Sequence, residues 1–297
     1  MKPVSTATAF GVASLGIAAF STMDALMKGL SIEMGAYNAL LWRTMAGAVI
    51  GGLVFFARRS PWPGPQAARI HILRGVLSAA MAILFFWGLA RVPLAQGVAL
   101  SFVAPLIALY LAALLLKEKI ERQAIFASLL GLAGVLVILS GQARSDLGPE
   151  AFRGALAILA SAGLYAYNII LMRQQALLAK PLEVAFFMSL IMTTCFLVAA
   201  PVLAVVPSPT DWPAIVVAAF LAFISLMLLS WAYARAEAQH LAPVEYPAFI
   251  WASILGVIVF SEPVRPLTLI GAGMIVAACI IATRRRPVSV AEMEAAL

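Results

Sequence analysis

The sequence predicts an all-α integral membrane protein, ten transmembrane helices arranged as two inverted five-helix repeats around a central cavity. Three observations carry this. Hydrophobic residues make up 64% of the chain and charged residues 11%, where a soluble domain carries about 25% charged, and mean hydropathy is +1.02. The apolar residues fall in runs of about 20, the length that crosses a bilayer. The basic residues sit in short clusters between those runs, as they do where membrane proteins mark one face. A soluble catalytic domain has no room in such a chain. The net charge of +7 forms no nucleic-acid patch, because it is divided among the connections.

The expected spans are 7–27, 36–57, 72–91, 94–116, 123–141, 152–172, 184–206, 213–233, 241–261 and 266–283. The first could pass for a secretory leader, since Met1-Lys2 precedes it. It nevertheless runs for about 20 residues without a small-x-small cleavage site before Asp24, and the repeat described below needs it. The longest connections are the proline-rich Arg58–His71 and Gln142–Glu150, neither able to fold alone. Trp42, Trp87, Trp212 and Trp231 fall near span ends, where an amphipathic ring prefers the headgroup level. Trp251, midway along the ninth span, is the exception.

Orientation follows from the basic residues. Lys2, Arg58, Arg59, Arg69, Arg74, Lys117, Lys119, Arg122, Arg173, Lys180, Arg235 and Arg284–Arg286 fall on the side of both termini. Lys28, Arg91, Arg144, Arg153 and Arg265 fall on the other. The positive-inside rule makes both termini cytoplasmic.

An offset of 144 residues aligns 87–118 with 231–262 without a gap. Trp87 meets Trp231, Arg91 meets Arg235 and Glu118 meets Glu262; Asp24 also meets Asn168. The expected division is a first repeat over 1–146, a second over 147–286, and a cytoplasmic tail at 287–297. Five spans is an odd number, so the second repeat enters the membrane from the opposite side. Two halves that exchange conformations convert an inward-open state into an outward-open one, which points to secondary transport. No phosphate-binding loop of the form G-x-x-x-x-G-K-[ST] is present. Mid-membrane carboxylates, the usual proton or sodium carriers, are scarce, only Asp24 and Glu245 qualifying. A facilitator or weakly coupled exchanger fits better than an obligate pump.

These features resemble the drug/metabolite transporter superfamily, EamA type. The segment Val103-Ala104-Pro105…Leu115-Leu116-Lys117-Glu118 is similar to that family's first-half signature, and Ile258-Val259-Phe260-Ser261-Glu262 to its second-half counterpart. Arg43 matches an arginine common in the second span. One departure stands out: the position equivalent to Pro105 is Phe249, with prolines at Pro243 and Pro247 instead. The resemblance implies export of small metabolites through a cavity between the halves. Within the superfamily the chain resembles aromatic and neutral amino-acid exporters of the YddG type, which implies the bacterial inner membrane.

Candidate cavity residues follow from helical spacing. Ser161, Tyr165, Asn168 and Met172 share one face of the sixth span, and polar groups there must face protein or water rather than lipid. Ser14, Ser21, Asp24 and Lys28 form a similar stripe on the first span. Ser78, Met81 and Phe85 lie on one face of the third, and Gln96 lies on the fourth. Tyr246 and Trp251 on the ninth are expected to add aromatic walls. Such a pocket suits an amphipathic solute such as Phe, Trp or Met. Asp24 and Lys28, at i and i+4, are expected to pair. Arg43 is expected to be structural or to anchor a carboxylate, and Glu118 and Glu262 to anchor helix ends. Pro105, Pro243 and Pro247 are expected to bend the fourth and ninth helices as gates. Gly131/Gly134 and Gly271/Gly273 should let the fifth and tenth helices approach closely.

No metal, cofactor or disulfide is expected: Cys195 and Cys279 lie in separate apolar runs, far from either histidine. A monomer is favoured. The rival readings are a transporter of cationic drugs, nucleobases or sugars, a channel, and an intramembrane enzyme. A channel filter is missing, and His71 and His240 have no carboxylate or serine partner at helical spacing.

Overall fold

A computed structural model describes residues 6–104, 106–108, 110–111, 122–143, 148–235 and 247–283. Among these residues all regular structure is helical: α1 (Thr6–Ala57), α2 (Pro65–Leu89), α3 (Leu94–Ser101), α4 (Arg122–Ala143), α5 (Gly148–Leu178), α6 (Pro181–Leu197), the single turn α7 (Ala200–Leu203), α8 (Trp212–Tyr233), α9 (Pro247–Phe260) and α10 (Pro266–Thr283). α1, α2, α5 and α8 are long and apolar enough to cross a membrane by themselves, and the shorter helices are also apolar. Every expected span overlaps one of these helices.

Local chemistry sets the boundaries. α1 is interrupted at Gly35 (φ 81, ψ 148), a conformation essentially reserved for glycine. A β-carbon there would meet nothing within 4 Å, so the backbone angle rather than space demands the glycine. The break divides α1 into limbs 6–34 and 36–57, where two spans were expected. α2, α6, α8 and α10 each begin with proline at the first or second position, where its missing N–H costs nothing. Two expected connections are shorter than anticipated. α2 starts at Pro65, which takes His71 into a helix, and α5 reaches Leu178, which takes in Gln175.

The packing repeats at the offset read from the sequence. A shift of 144 residues carries α2 onto α8, the first limb of α1 onto α5, the second limb onto α6, and α4 onto α10. The most extensive contacts are α1 with α8, α4 with α10 and α2 with α5. The shift exchanges the first of these with the third. Local geometry agrees: Arg91 lies 3.6 Å from the Trp87 ring centroid and Arg235 lies 4.2 Å from that of Trp231. Each arginine also donates to its own tryptophan's carbonyl, at 2.8 and 3.0 Å.

Small residues let the halves interlock. A β-carbon on Gly271 would lie 2.6 Å from the Gly134 carbonyl oxygen, and one on Gly88 would lie 2.4 Å from that of Gly154. Of the other expected glycines, Gly131 faces both Leu106 and Ala278 of α10, while Gly273 faces open space. Large apolar side chains such as Leu53, Leu129 and Ile258 are exposed on the outside, the inverse of a water-soluble surface.

Candidate functional site

A cavity of about 240 Å³ lies among the helices and takes side chains from both halves. Phe20, Met23 and Asp24 come from the first limb of α1, and Arg43 and Thr44 from the second. α2 supplies Arg74, Ser78, Met81 and Phe85, and α5 supplies Ser161, Tyr165, Asn168 and Met172. Met188, Ser189 and Met192 of α6, Phe223 of α8 and Ala248 of α9 complete the wall, with Ser101 and Phe102 at the end of α3. Most of the lining is apolar, with methionine and aromatic side chains prominent in it. The polar groups converge from α1, α2 and α5.

The polar side is built on a hydrogen-bonded chain joining α2, α5 and α6. The Asn168 amide donates to Ser78 Oγ at 3.1 Å and makes a long contact of 3.8 Å to Met81 Sδ. Arg74 Nε donates to Asn168 Oδ1 at 3.0 Å, and Arg74 also donates to Gln175 Oε1. Gln175 Nε2 meets His71 Nδ1 at 2.6 Å, and His71 Nε2 meets Glu183 Oε1 at 3.0 Å. Arginine has no acceptor, so Gln175 must turn its oxygen to Arg74 and its amide to His71. His71 Nδ1 then accepts, which puts the ring proton on Nε2, facing Glu183. Arg74, His71 and Gln175 are buried, and the His71 ring stacks on Phe187 at 5.2 Å.

Asp24 and Arg43 behave differently. Both line the cavity and both are more than nine-tenths buried, at 6% and 8% exposure. Asp24 Oδ1 and Arg43 Nε have no hydrogen-bond partner among the described residues. The two groups attract each other electrostatically without forming an ion pair.

The expected Asp24–Lys28 pair is not formed. Lys28 donates instead to the Val92 carbonyl at 2.7 Å and to Glu262, and its ammonium lies 5.0 Å from the Phe260 ring centroid. Glu262 also accepts from the Leu94 N–H at 2.8 Å. A partner distant in sequence, anchored by a backbone donor, outcompetes the neighbour four residues away. Glu262 thus ties the start of α3 and the first limb of α1 to the end of α9.

Of the expected cavity residues, Ser78, Met81, Phe85, Tyr165 and Asn168 come together as read. Gln96 does not. It is buried beside Pro93, Glu262 and Thr268, because α3 turns Val98, Ser101 and Phe102 toward the cavity instead. Trp251 is 41% exposed and points away. Tyr246, Pro105, Pro243 and Glu118 lie outside the described residues; Pro247 is the first described residue of α9, and the residues before it lie outside the described range. Arg74, counted on the side of both termini, is a buried cavity residue.

Arg74, Gln175, His71 and Glu183 went unrecognised. A signal existed for the first two: Arg74 extends the Ser78–Met81–Phe85 face by one turn, and Gln175 extends the Tyr165–Asn168–Met172 face by three residues. Nothing local marks His71 and Glu183, whose pairing spans 112 positions.

A two-repeat helical fold around a mixed apolar and polar cavity defines a membrane transporter. The sequence profile of the EamA-like transporter family matches residues 8–140 and again 152–284, and the chain belongs to that family. It is similar to the pseudopaline exporter of Pseudomonas aeruginosa, 26% identical over 90% of this chain and 93% of the relative. The S-adenosylmethionine uptake transporter of Rickettsia felis is 24% identical over 92% and 91%, and the riboflavin transporter of Brucella anthropi 25% over 73% and 76%. A crystal structure at 22% identity superposes with a TM-score of 0.64, covering 94% of this chain and 97% of that one, and shares the fold. The protein is a multi-pass membrane transporter of small molecules, and not an enzyme.

Proposed function

We propose that the protein exports aromatic and neutral amino acids by alternating access between two inverted halves. The proposal places ten spans in a bacterial inner membrane with both termini cytoplasmic, divided into 1–146 and 147–286, and acting as a monomer. The observation that carries it is the cavity: one polar face, built on Ser78, Tyr165 and Asn168, inside walls of methionine and aromatic side chains. A solute with a polar backbone and an apolar side chain matches that division. The relatives' names span pseudopaline, S-adenosylmethionine and riboflavin, so the family alone does not select the solute. The guanidiniums of Arg43 and Arg74 argue against a purely cationic drug.

Counterflow tests the reading. Proteoliposomes loaded with unlabelled phenylalanine or methionine are expected to take up the labelled amino acid without a pH gradient, and Asn168→Ala or Tyr165→Ala to slow that uptake. No exchange of any amino acid would overturn the assignment and direct the search to nucleobases, sugars and cationic drugs.

A further inference from the structure

Asp24 and Arg43 bring a carboxyl group and a guanidinium into one cavity, and Asp24 Oδ1 and Arg43 Nε lack hydrogen-bond partners among the described residues. Burial of a charge without a partner is expensive. Elsewhere the protein avoids that expense: Arg74 is held by Asn168 and Gln175, and Lys28 by Glu262 and a carbonyl. The unused pair therefore lies where a ligand reaches it. Lys28, the obvious competitor for Asp24, is committed to Glu262 instead. Direct contact between Asp24 and Arg43 would cancel both charges. Their separation leaves each free for a group of opposite sign.

We infer that Asp24 and Arg43 clamp the two charged ends of a zwitterionic solute, Asp24 receiving its ammonium group and Arg43 its carboxylate. This deepens the amino-acid reading above and rests on it. A guanidinium is suited to a carboxylate because it offers parallel donors, and a carboxylate offers several acceptor sites to an ammonium. The remaining wall, with Met23, Met81, Met172, Met188 and Met192, is soft and adaptable. Recognition is thus strict at the charged ends and permissive at the side chain. A site built to pair a polar group rejects an analogue lacking it far more strongly than it rejects a change in apolar bulk.

The test is competition against labelled phenylalanine counterflow in proteoliposomes, using 3-phenylpropionate and N-acetylphenylalanine (no ammonium) and phenethylamine and phenylalaninamide (no carboxylate). In the wild type each analogue should compete at least ten-fold more weakly than phenylalanine, while leucine and methionine compete within a few-fold of it. Asp24→Asn should lose discrimination against the first pair and keep it against the second; Arg43→Gln should do the reverse. Asp24→Glu and Arg43→Lys keep each charge and should keep its selectivity at weaker affinity. Phenylalanine exchange that tolerates analogues lacking either charge, or substitutions that change both discriminations together, overturns the clamp and leaves the amino-acid reading intact. Absence of phenylalanine exchange in the wild type overturns that reading and the clamp with it.

Discussion

The two ends of α2 are tied to the second half of the protein by different chemistry. At the His71 end a chain of five side chains, Glu183–His71–Gln175–Arg74–Asn168, runs inward to the cavity wall. It is packed against a cluster of Phe55, Trp62, Phe186 and Phe187. Past the other end, Lys28 and Glu262 make one ion pair with the Val92 carbonyl and the Leu94 N–H. Both ties join a first-half helix to a second-half helix. The Lys28 tie is a single point that holds or fails as a unit. The His71 tie is distributed and continuous with the polar face of the cavity, so a solute that engages Asn168 acts directly on that end. Under the proposed alternating access, the two ends that open in turn have, in these ties, two unlike fastenings.

Substitutions that dismantle one fastening at a time put this contrast to the test. The largest loss is expected from Glu262→Gln, which strands a lysine only 1% exposed. Breaking a buried pair from one side costs about 3–5 kcal/mol, read as a fall in thermal unfolding temperature in detergent. Adding Lys28→Met should recover most of it, because the orphaned charge is gone. If the double variant is no better than the single, the tie is not a unit. Arg74→Met comes next. It leaves Asn168 Oδ1 without its donor, a penalty of about 1–3 kcal/mol, and should slow phenylalanine counterflow at least ten-fold because the cavity's polar face loses its register. His71→Ala leaves the buried Gln175 amide without its acceptor and should cost about 1–3 kcal/mol, while Glu183 is partly exposed and can turn to water. Its effect on transport should be smaller than that of Arg74→Met, and a larger one would show that the chain does not weaken outward from the cavity. Trp251→Ala, at an exposed site away from the cavity, should leave the counterflow rate unchanged.

How far the sequence could be read depended on the range of the interaction. Helical spacing placed Ser78, Met81 and Phe85 on one face and Tyr165, Asn168 and Met172 on another, and both faces meet the cavity. That works because a polar stripe in an apolar helix has few places to go. The 144-residue offset likewise anticipated which helices exchange in the packing. It also aligns the residues that form the matched Trp87/Arg91 and Trp231/Arg235 stacks. Spacing failed where partners are chosen across helices. Asp24 and Lys28 are neighbours at i and i+4, yet a carboxylate 234 positions away takes the lysine. Gln96 sits on a helix that was expected to line the cavity, but short α3 is rotated by its junctions, and rotation about the axis is not encoded in period alone. Charge counting gives Arg74 a side of the membrane and not a depth, so its burial in the cavity wall is not legible that way. His71 was set aside because its carboxylate partner lies on another helix.

The central claim is that this cavity holds the transported solute. Ser101 lines it and is partly accessible, so Ser101→Cys in a chain with Cys195 and Cys279 replaced by alanine gives a single reporter. In proteoliposomes that exchange phenylalanine, labelling of this thiol by a membrane-impermeant maleimide should slow as phenylalanine is raised through the concentration that half-saturates counterflow. Labelling at an unchanged rate while exchange continues would show that the solute passes elsewhere, and would contradict the account.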